Sequence, residues 1–427
     1  MRKYDDARTV SRRTYLRGAG VAGAAGLGVA PGYLEAAQGD ALEVLHGWTG
    51  GDGQRAINAL TSRFKKQHSD MNTNFRPIGG GGNVNLNSVV ARRLANDNPP
   101  SSFANWPGKN LLKYEGVLMD IEESVWNEAG LKDVMVDAAQ QRCRLDGTYV
   151  CVPIGSHRMN NLFYNTEVVE EAGVDPGSLS GMGDLTDALD QVQQNTDAVP
   201  LTHAMKAPWT NVQLWVEVLL SQEGVDAYTK YVNGNGDEEA VRNSLQSTKQ
   251  ILTSYINEDA STIDFTTANQ KLIAGDAAFI HQGNWVYGMY RSAEDFQFQR
   301  DWGWTAFPGT SDTYVFHLDA FLAPSNNPSP QKTATWERFV GEKEAQVAFN
   351  ERKGSVPLRN DVDPNRLPEF LGLTLEDLNG AEQLPPTLAH GLAVSPEKLG
   401  NVKSAFGDNF MGPFNVDQAT QALMEAV

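Results

Sequence analysis

The stretch LEVLHGWTGGDGQRAINALTSRF, residues 42–64, decides the fold class. It begins with a short apolar run, Leu42–His46, that predicts a buried strand. The glycine-rich GGDG at residues 50–53 then predicts a loop. Apolar residues recur after this loop at the spacing of one helix face, and they are Ile57, Leu60 and Phe64. A strand that leads through a glycine-rich loop into a helix is the unit from which α/β folds are built.

The same unit recurs further along the chain. The glycine run at residues 79–82 precedes a second apolar helix face, which consists of Val84, Leu86, Val89, Val90 and Leu94. Residues 277–280, AAFI, predict another buried strand, and Gly283-Asn284-Trp285 predicts the turn into the helix that follows. The alternation of strands and helices predicts an α/β sheet, and we find no internal repeat in the sequence.

Length and composition limit the architecture and the partners. At 427 residues the chain exceeds the size to which one hydrophobic core usually grows, so two lobes are expected. A hydrophobic content of 41% and a mean hydropathy of -0.40 are typical of a globular protein in water. The 53 acidic and 35 basic residues give a formal charge of -18. This charge repels nucleic acid and anionic lipid, so neither is an expected partner, and it suits a halophilic source.

Residues 1–40 are predicted to be an export signal. Arg12-Arg13 precede a weakly apolar, Gly/Ala-rich run at residues 18–30, an order that resembles a twin-arginine signal. An accidental arginine pair before a flexible region is the alternative. The run is too short for a permanent membrane span, so we expect a soluble protein in an extracellular or cell-surface space, free or tethered by an uncleaved signal.

The two cysteines, Cys143 and Cys151, flank Asp146-Gly147 in a strand, turn, strand pattern. A three-residue loop at residues 146–148 would place the cysteines opposite each other. An exported compartment permits a disulfide between them, while two buried free thiols are the equally open alternative.

Two segments are candidates for the crossings between lobes. Residues 152–155, VPIG, are an extended segment near one third of the chain, and residues 308–311 with 323–325 bracket a second crossing. We therefore expect an N-terminal lobe of residues 41–155 plus about 314–355. The C-terminal lobe would contain residues 156–313 plus about 356–427.

Several segments, in this order, resemble the extracellular solute-binding proteins of ABC importers, and specifically the glucose-type members. The segments are residues 46–52, 79–90, 99–106, 152–158, 163–165, 275–279, 283–285, 349–357 and 388–391. The resemblance implies a periplasmic-binding-protein-like fold, in which two α/β lobes joined by hinge strands close on a ligand in the cleft between them.

The aromatic residue types agree with a sugar ligand, because a sugar presents flat C–H faces to rings and hydroxyl edges to polar groups. Trp48 and Asp52 lie on the loop after the first predicted strand, where ligands of open sheets bind. Asn105 and Trp106 match, by the resemblance, a loop that approaches the sugar. Trp285 begins a helix after a strand, which lets it reach the cleft.

Trp209 precedes the helical face of Val212, Trp215, Val216 and Leu219. Trp215 therefore fits a core position, and Trp209 is preferred as the contact, although the sequence leaves the choice between the two nearly even. The resemblance further implies that Asp319, Lys353 and His390 contact the sugar. Their structural alternatives are a turn cap, a solvated charge and a residue that satisfies local backbone groups.

A secreted glycoside hydrolase and a structural protein of the cell surface are the competing function classes. The sequence has no Gly-x-Ser-x-Gly turn, no His-Glu-x-x-His helix and no Lys-Ser/Thr after its glycine run. We therefore expect a monomeric, non-enzymatic binding protein without cofactor or metal. Its partners would be a sugar, the membrane permease of the importer and the cytoplasmic ATPase.

Overall fold

The computed structural model describes residues 41–427, apart from the side chains at positions 51, 52 and 81. The predicted signal at residues 1–40, with Arg12-Arg13, lies outside the described residues and stays a prediction. A search of the described helices finds none with the length and apolar character needed to cross a membrane.

The strands of the described chain form two main sheets and one short hairpin. In chain order they are β1 (Leu42–His46), β2 (Thr73–Pro77), β3 (Ser102–Asn105), β4 (Arg144–Leu145), β5 (Thr148–Tyr149), β6 (Cys151–Arg158), β7 (Asn161–Asn165), β8 (Val199–Leu201), β9 (Ala277–Gln282), β10 (Trp302–Ala306) and β11 (Phe316–Leu322).

Helices cover both sheets. The α-helices of the described chain are α1 (Gly51–Gln67), α2 (Val84–Ala95), α3 (Leu131–Val134), α4 (Asp137–Arg142), α5 (Thr166–Ala172), α6 (Met182–Asn195), α7 (Pro208–Val232), α8 (Glu238–Ser254), α9 (Phe265–Ile273), α10 (Tyr287–Tyr290), α11 (Pro330–Val340), α12 (Lys343–Lys353), α13 (Glu369–Gly380), α14 (Pro396–Asn409) and α15 (Val416–Ala426). Short helices of other types span Gly81–Asn83, Gly108–Tyr114, Glu122–Asn127, Pro176–Ser178, Asn284–Val286 and Pro364–Arg366.

The N-terminal lobe is built on a five-stranded sheet of order β2-β1-β3-β11-β6. Strand β1 pairs in parallel with β2 and β3, and β11 is antiparallel to β3 and β6. Every residue of β1 is buried, which fits a parallel strand covered on both faces. The predicted first strand is confirmed at the same residues, and the predicted helix face of Ile57, Leu60 and Phe64 is buried.

The C-terminal lobe is built on a four-stranded sheet of order β10-β7-β9-β8. The predicted strand at residues 277–280 is confirmed and continues to Gln282. Trp215 on α7 is fully buried and donates its indole N–H to Ser244 at 2.9 Å, which confirms it as a core residue.

The helix after the second glycine run differs from the prediction at its first residue. Leu86 and Val90 are buried as expected, but Val84 is 63% exposed. Gly82 and Asn83 both have φ near +60°, at 62° and 60°, so the chain turns sharply before α2 and its first side chain points away from the core.

The chain crosses between the sheets twice in the region that joins the lobes. The first crossing lies between Arg158 and Asn161, a few residues after the predicted segment 152–155, which forms the middle of the edge strand β6. The second lies between β10 and β11 and contains residues 308–311. Asn160 holds the crossings together, because its amide accepts from Val315 N at 3.0 Å and donates to Thr310 Oγ1 at 2.9 Å.

The disulfide considered for Cys143 and Cys151 is not formed, and both are buried free thiols. The turn between β4 and β5 has two residues rather than three, with Asp146 and Gly147 at φ of 51° and 84°. Cys143 therefore lies opposite Val150, whose N–H donates to the Cys143 carbonyl at 3.0 Å. Cys151 is one residue out of register with Cys143, and its thiol donates to the same carbonyl at 3.7 Å.

Candidate functional site

Strands β6 and β11 bring polar side chains together at one end of the first sheet. In the antiparallel pair, His157 lies opposite His317 and Gly155 opposite Asp319. Opposed residues share a face of the sheet, so the two histidines and Asp319 point to the same side. The Nε2 atoms of His157 and His317 lie 3.5 Å and 4.0 Å from the Asp319 carboxylate oxygens.

Asp319 is buried yet remains ionised. Burial by itself raises the pKa of Asp319, but a hydrogen bond from His157, the electrostatic interactions with His157 and His317 and the charge of Lys353 lower the pKa to about 2. Lys353 is the last residue of α12 and is itself buried. At neutral pH the site therefore contains a fixed carboxylate beside a lysine, and both residue types bind hydroxyls.

The histidines beside Asp319 are neutral at physiological pH. Burial, followed by the charge of Lys353, lowers the pKa of His157 despite its contact with Asp319. Burial also lowers the pKa of His317 to about 3. A neutral imidazole has one donor and one acceptor nitrogen, so each ring can both give and receive a hydrogen bond. Nδ1 of His317 is buried without a partner in the structure.

His390 is the centre of an aromatic group that we call the ring cluster, formed by His390, His317, Trp106, Trp209 and Trp285. The ring centroids of the other four members lie between 4.9 Å and 5.6 Å from that of His390. The three tryptophans are partly exposed, so part of each ring surface is open to solvent. Burial first, and then the neighbouring positive charges, lower the pKa of His390 well below its usual value.

The members of the ring cluster come from both lobes. Trp106 follows β3, and His317 belongs to β11 in the same sheet. Trp285 follows β9, and Trp209 lies in the first turn of α7. His390 lies in the loop between α13 and α14, and its Nε2 is 3.2 Å from Gln213 Oε1 on α7. The cluster therefore bridges the cleft between the lobes.

Two further contacts cross the cleft beside the cluster. Arg55 on α1 donates to the carbonyl oxygen of Gly288 on α10 at 3.0 Å. Lys109 N donates to the carbonyl oxygen of Leu392 at 3.1 Å. The lobes thus contact each other at two places besides the ring cluster.

Trp48 lies apart from the ring cluster and packs against the helix that carries Lys353. Its ring packs against Phe349 and Phe321 with centroid distances of 5.1 Å and 5.8 Å. Phe349 and Lys353 lie four residues apart on α12 and therefore on the same face. Asp52 lies in the first turn of α1, and its side chain is outside the described residues, so its role stays a prediction.

Asn105 is buried and fully engaged by neighbouring protein groups. Its amide nitrogen donates to Asn87 Oδ1 at 2.8 Å and to the Tyr114 hydroxyl at 2.7 Å. Its Oδ1 accepts from Trp106 N at 2.8 Å and from Asn110 at 3.2 Å. The arrangement fixes Trp106 next to the cleft, whereas direct contact of Asn105 with a ligand stays a prediction.

Three residues at the site were absent from the sequence-based set: His157, His317 and Gln213. His157 lies in a segment that carries the resemblance and His317 lies two residues before Asp319, but nothing local shows that the two histidines pair across 160 residues. Gln213 had a weak signal, because it is a polar residue in an otherwise apolar helical stretch. A buried polar side chain of this kind is usually retained for a specific partner.

A model of the family described as bacterial extracellular solute-binding protein matches residues 59–370. The chain belongs to the bacterial extracellular solute-binding protein family. The family confirms the prediction that the chain is not an enzyme, since its members bind a solute rather than transform it. The alternative of a secreted glycoside hydrolase finds no support in these matches.

Relatives of this solute-binding protein differ in how much of its sequence they share. A xylose/arabinose-binding protein from Haloferax volcanii is 56% identical over 386 residues, which cover 90% of this chain and 84% of the relative. A glucose-binding protein from Saccharolobus solfataricus is 23% identical over 340 residues, which cover 74% of this chain and 60% of the relative.

Solved structures of other binding proteins share the fold of this solute-binding protein. A bacterial solute receptor with a preference for b-D-galactopyranose matches with a TM-score of 0.79 and 16% identity, covering 91% of this chain and 98% of the receptor. A chitin oligosaccharide binding protein matches with a TM-score of 0.77 and 17% identity, covering 90% of this chain and 97% of the other. These matches confirm the predicted two-lobed fold.

Proposed function

We propose that this solute-binding protein captures a monosaccharide in the cleft and delivers it to the permease of an ABC importer. The observation that carries the proposal is the ring cluster, in which three partly exposed tryptophans from both lobes surround His390. We propose a division of the chain into an N-terminal lobe of residues 41–155 plus about 314–355 and a C-terminal lobe of residues 156–313 plus about 356–427.

The chemistry of the site fits the two kinds of surface that a sugar presents. Tryptophan rings pack against the C–H faces of a pyranose ring and exclude water from them. Asp319 accepts hydrogen bonds from hydroxyls as a carboxylate, and Lys353 donates to them. The neutral imidazoles of His317 and His390 contribute one donor and one acceptor each.

The relatives guide the choice of sugar. The relative of 56% identity is a xylose/arabinose-binding protein, which favours a pentose as the ligand of this chain. The relative of 23% identity is a glucose-binding protein, and glucose therefore stands second. Both sugars present the pattern of C–H faces and hydroxyl edges that the ring cluster and Asp319 suit.

The delivery mechanism is a shift from an open to a closed form. A ligand that contacts both lobes favours the closed form by its greater affinity for that form. The contacts of Arg55 with Gly288 and of Lys109 with Leu392 stabilise the closed arrangement. We propose that the permease recognises this form, that the protein acts as a monomer, and that residues 1–40 direct its export.

The test is a titration of the purified protein with xylose, arabinose, glucose and galactose, followed by tryptophan fluorescence and thermal unfolding. One sugar should give a saturable fluorescence change and raise the Tm, because a ligand held only by the folded state stabilises that state by mass action. Chromatography should recover the sugar unchanged. No response to any of the four sugars, or their conversion to product, would contradict the proposal.

A further inference from the structure

Lys113 lies in a partly buried polar position at the edge of the cleft. It belongs to the short helix Gly108–Tyr114 of the N-terminal lobe, directly after the segment that carries Asn105 and Trp106. Its Nζ is 3.2 Å from Asn87 Oδ1 and 3.5 Å from Asn105 Oδ1. Two amide oxygens therefore accept hydrogen bonds from the Lys113 side chain. Neither oxygen belongs to a charged group, so neither forms an ion pair with it.

Lys403 approaches Lys113 from the other lobe. It lies on α14, which packs against the helix Gly108–Tyr114, and it is partly buried. Burial, and then the charge of Lys403, lower the pKa of Lys113 to about 7, while burial lowers the pKa of Lys403 to about 8. Two lysines whose charged forms are disfavoured by burial therefore lie on helices that pack together where the lobes meet.

Neither lysine pairs with an acidic side chain in the part of the chain whose side chains the structure describes, which leaves out Asp52. Other lysines of the chain form ion pairs, such as Lys132 with Glu122 and Lys271 with Asp259 at 3.0 Å. No described carboxylate forms such a pair with Lys113 or Lys403. In a chain with 53 acidic residues, two partly buried lysines without a carboxylate mark a local positive potential.

This positive potential adjoins the ring cluster. The charge of Lys403 contributes to the lowered pKa of His390, which places the ammonium group near that ring. Lys113 contacts Asn105, whose Oδ1 also accepts from Trp106 N. The segment from His390 to Leu392 runs between the two lysine-bearing helices and receives a hydrogen bond from Lys109 N. Both lysine-bearing helices therefore flank the segment that carries His390, since Gly391 approaches Leu399 on one and Asn110 on the other.

We propose that Lys113 and Lys403 form an anion subsite, through which the same cleft also takes a sugar acid whose carboxylate lies between them. The inference rests on the proposed function, because the sugar ring would occupy the ring cluster. A carboxylate in this place favours the charged form of both lysines and links one lobe to the other. It would therefore stabilise the closed form more than a neutral sugar of the same shape does.

The test compares matched pairs of ligands by isothermal titration calorimetry of the full protein. The pairs are D-glucuronate with D-glucose and D-galacturonate with D-galactose, with glucose 6-phosphate as a separate anionic probe. At low salt, one uronate should bind about tenfold more tightly than its neutral partner, since a hydrogen bond to a charged group contributes that much. Added salt should reduce this ratio, because screening weakens the ionic contact.

Lys113→Met and Lys403→Met should each bring the ratio of the two affinities close to one. Lys109→Met is the matched control, because Lys109 is exposed on the same short helix as Lys113, and it should keep the wild-type ratio. Equal affinity for uronate and neutral sugar would overturn the anion subsite and leave the proposed function standing. Tighter binding of glucose 6-phosphate than of either uronate would overturn the assignment to a carboxylate. Failure of every sugar to bind would overturn both proposals.

Discussion

His157 Nε2 lies 3.5 Å from Asp319 Oδ2, although the two residues are separated by most of the C-terminal lobe in the sequence. His157 is at the end of β6, directly before the first crossing, and Asp319 is on β11, which follows the second. His157 Nδ1 also lies 2.7 Å from Asn284 Oδ1 of the C-terminal lobe. One imidazole therefore joins the charged part of the site to the opposite lobe.

Asp319→Asn should weaken sugar affinity by roughly tenfold or more, because a charged acceptor is replaced by a neutral one of the same shape. The measurement is a fluorescence titration with the sugar that the wild type binds. Asp361→Asn is the control, since Asp361 is a surface carboxylate that pairs with Arg359 and Lys343. Equal affinities of the wild type and Asp319→Asn would contradict the role of Asp319.

Trp285→Leu should lower sugar affinity by about tenfold through the loss of ring contact with the sugar face. Trp304 provides a matched control, because it is also partly exposed but packs on Phe370 and Arg158, outside the ring cluster. Trp304→Leu should bind sugar as the wild type does. If both variants lost affinity equally, the ring cluster would not be the binding site.

Arg55→Met should reduce sugar affinity by about fivefold, although Arg55 is not one of the residues proposed to contact the sugar. The variant loses the hydrogen bond to the Gly288 carbonyl that helps to hold the lobes together, a bond that contributes about 1 kcal/mol or more. Small-angle scattering should show less compaction at a given sugar concentration. Arg63→Met, on the same helix, removes only an exposed contact with Glu344 at 3.9 Å and should leave affinity and compaction as they are in the wild type.

Glu337 on α11 makes stability depend on pH. It is fully buried, burial raises its pKa from 4.5 to about 8, and one of its oxygens has no partner. An acid whose pKa is higher in the folded state stabilises that state while protonated, so its contribution is full below about pH 4.5 and is lost as pH rises through about 8.

Glu337→Gln should therefore reduce the fall in the free energy of unfolding between pH 5 and pH 9, by a few kcal/mol at most, since one unit of pKa shift corresponds to about 1.4 kcal/mol. Urea unfolding at both pH values measures the difference. Glu344→Gln, at an exposed position, should keep the wild-type pH dependence. A Glu337→Gln variant with the same pH dependence as the wild type would show that Glu337 does not titrate in this range.

The thiols of Cys143 and Cys151 should be unreactive towards a thiol reagent in the folded protein, because both are buried. After unfolding in guanidinium chloride without reductant, two thiols per chain should react. Burial and the neighbouring Cys143 raise the pKa of Cys151, which further slows its reaction. If no thiol reacted after unfolding, the two cysteines would be joined in a disulfide, which would contradict the free thiols of the structure.

The site residues could be predicted from the sequence only in part. Trp106, Trp209, Trp285 and His390 were all selected from the sequence, and the structure brings them together. The pairing of His157 with His317 could not be selected from local pattern, because strand partners so distant in sequence carry no local signal of their register.

The two cysteines show that strand register is hard to predict even over a short distance in the sequence. The sequence indicates a hairpin around Asp146-Gly147, but a change of one residue in loop length decides which side chains are opposed. The two-residue turn places Val150, rather than Cys151, opposite Cys143.

By itself, the sequence determined the α/β class, the first strand at Leu42–His46 and the buried face of the helix that follows. These features depend on periodicity and turn residues within about twenty positions, where side-chain spacing and secondary structure are directly linked. Only the tertiary structure decided which lobe residues meet His390 and which carboxylate His157 contacts. Those contacts depend on strand pairing and lobe packing across the whole chain, whose energies are shared among many residues and are not encoded in any one segment.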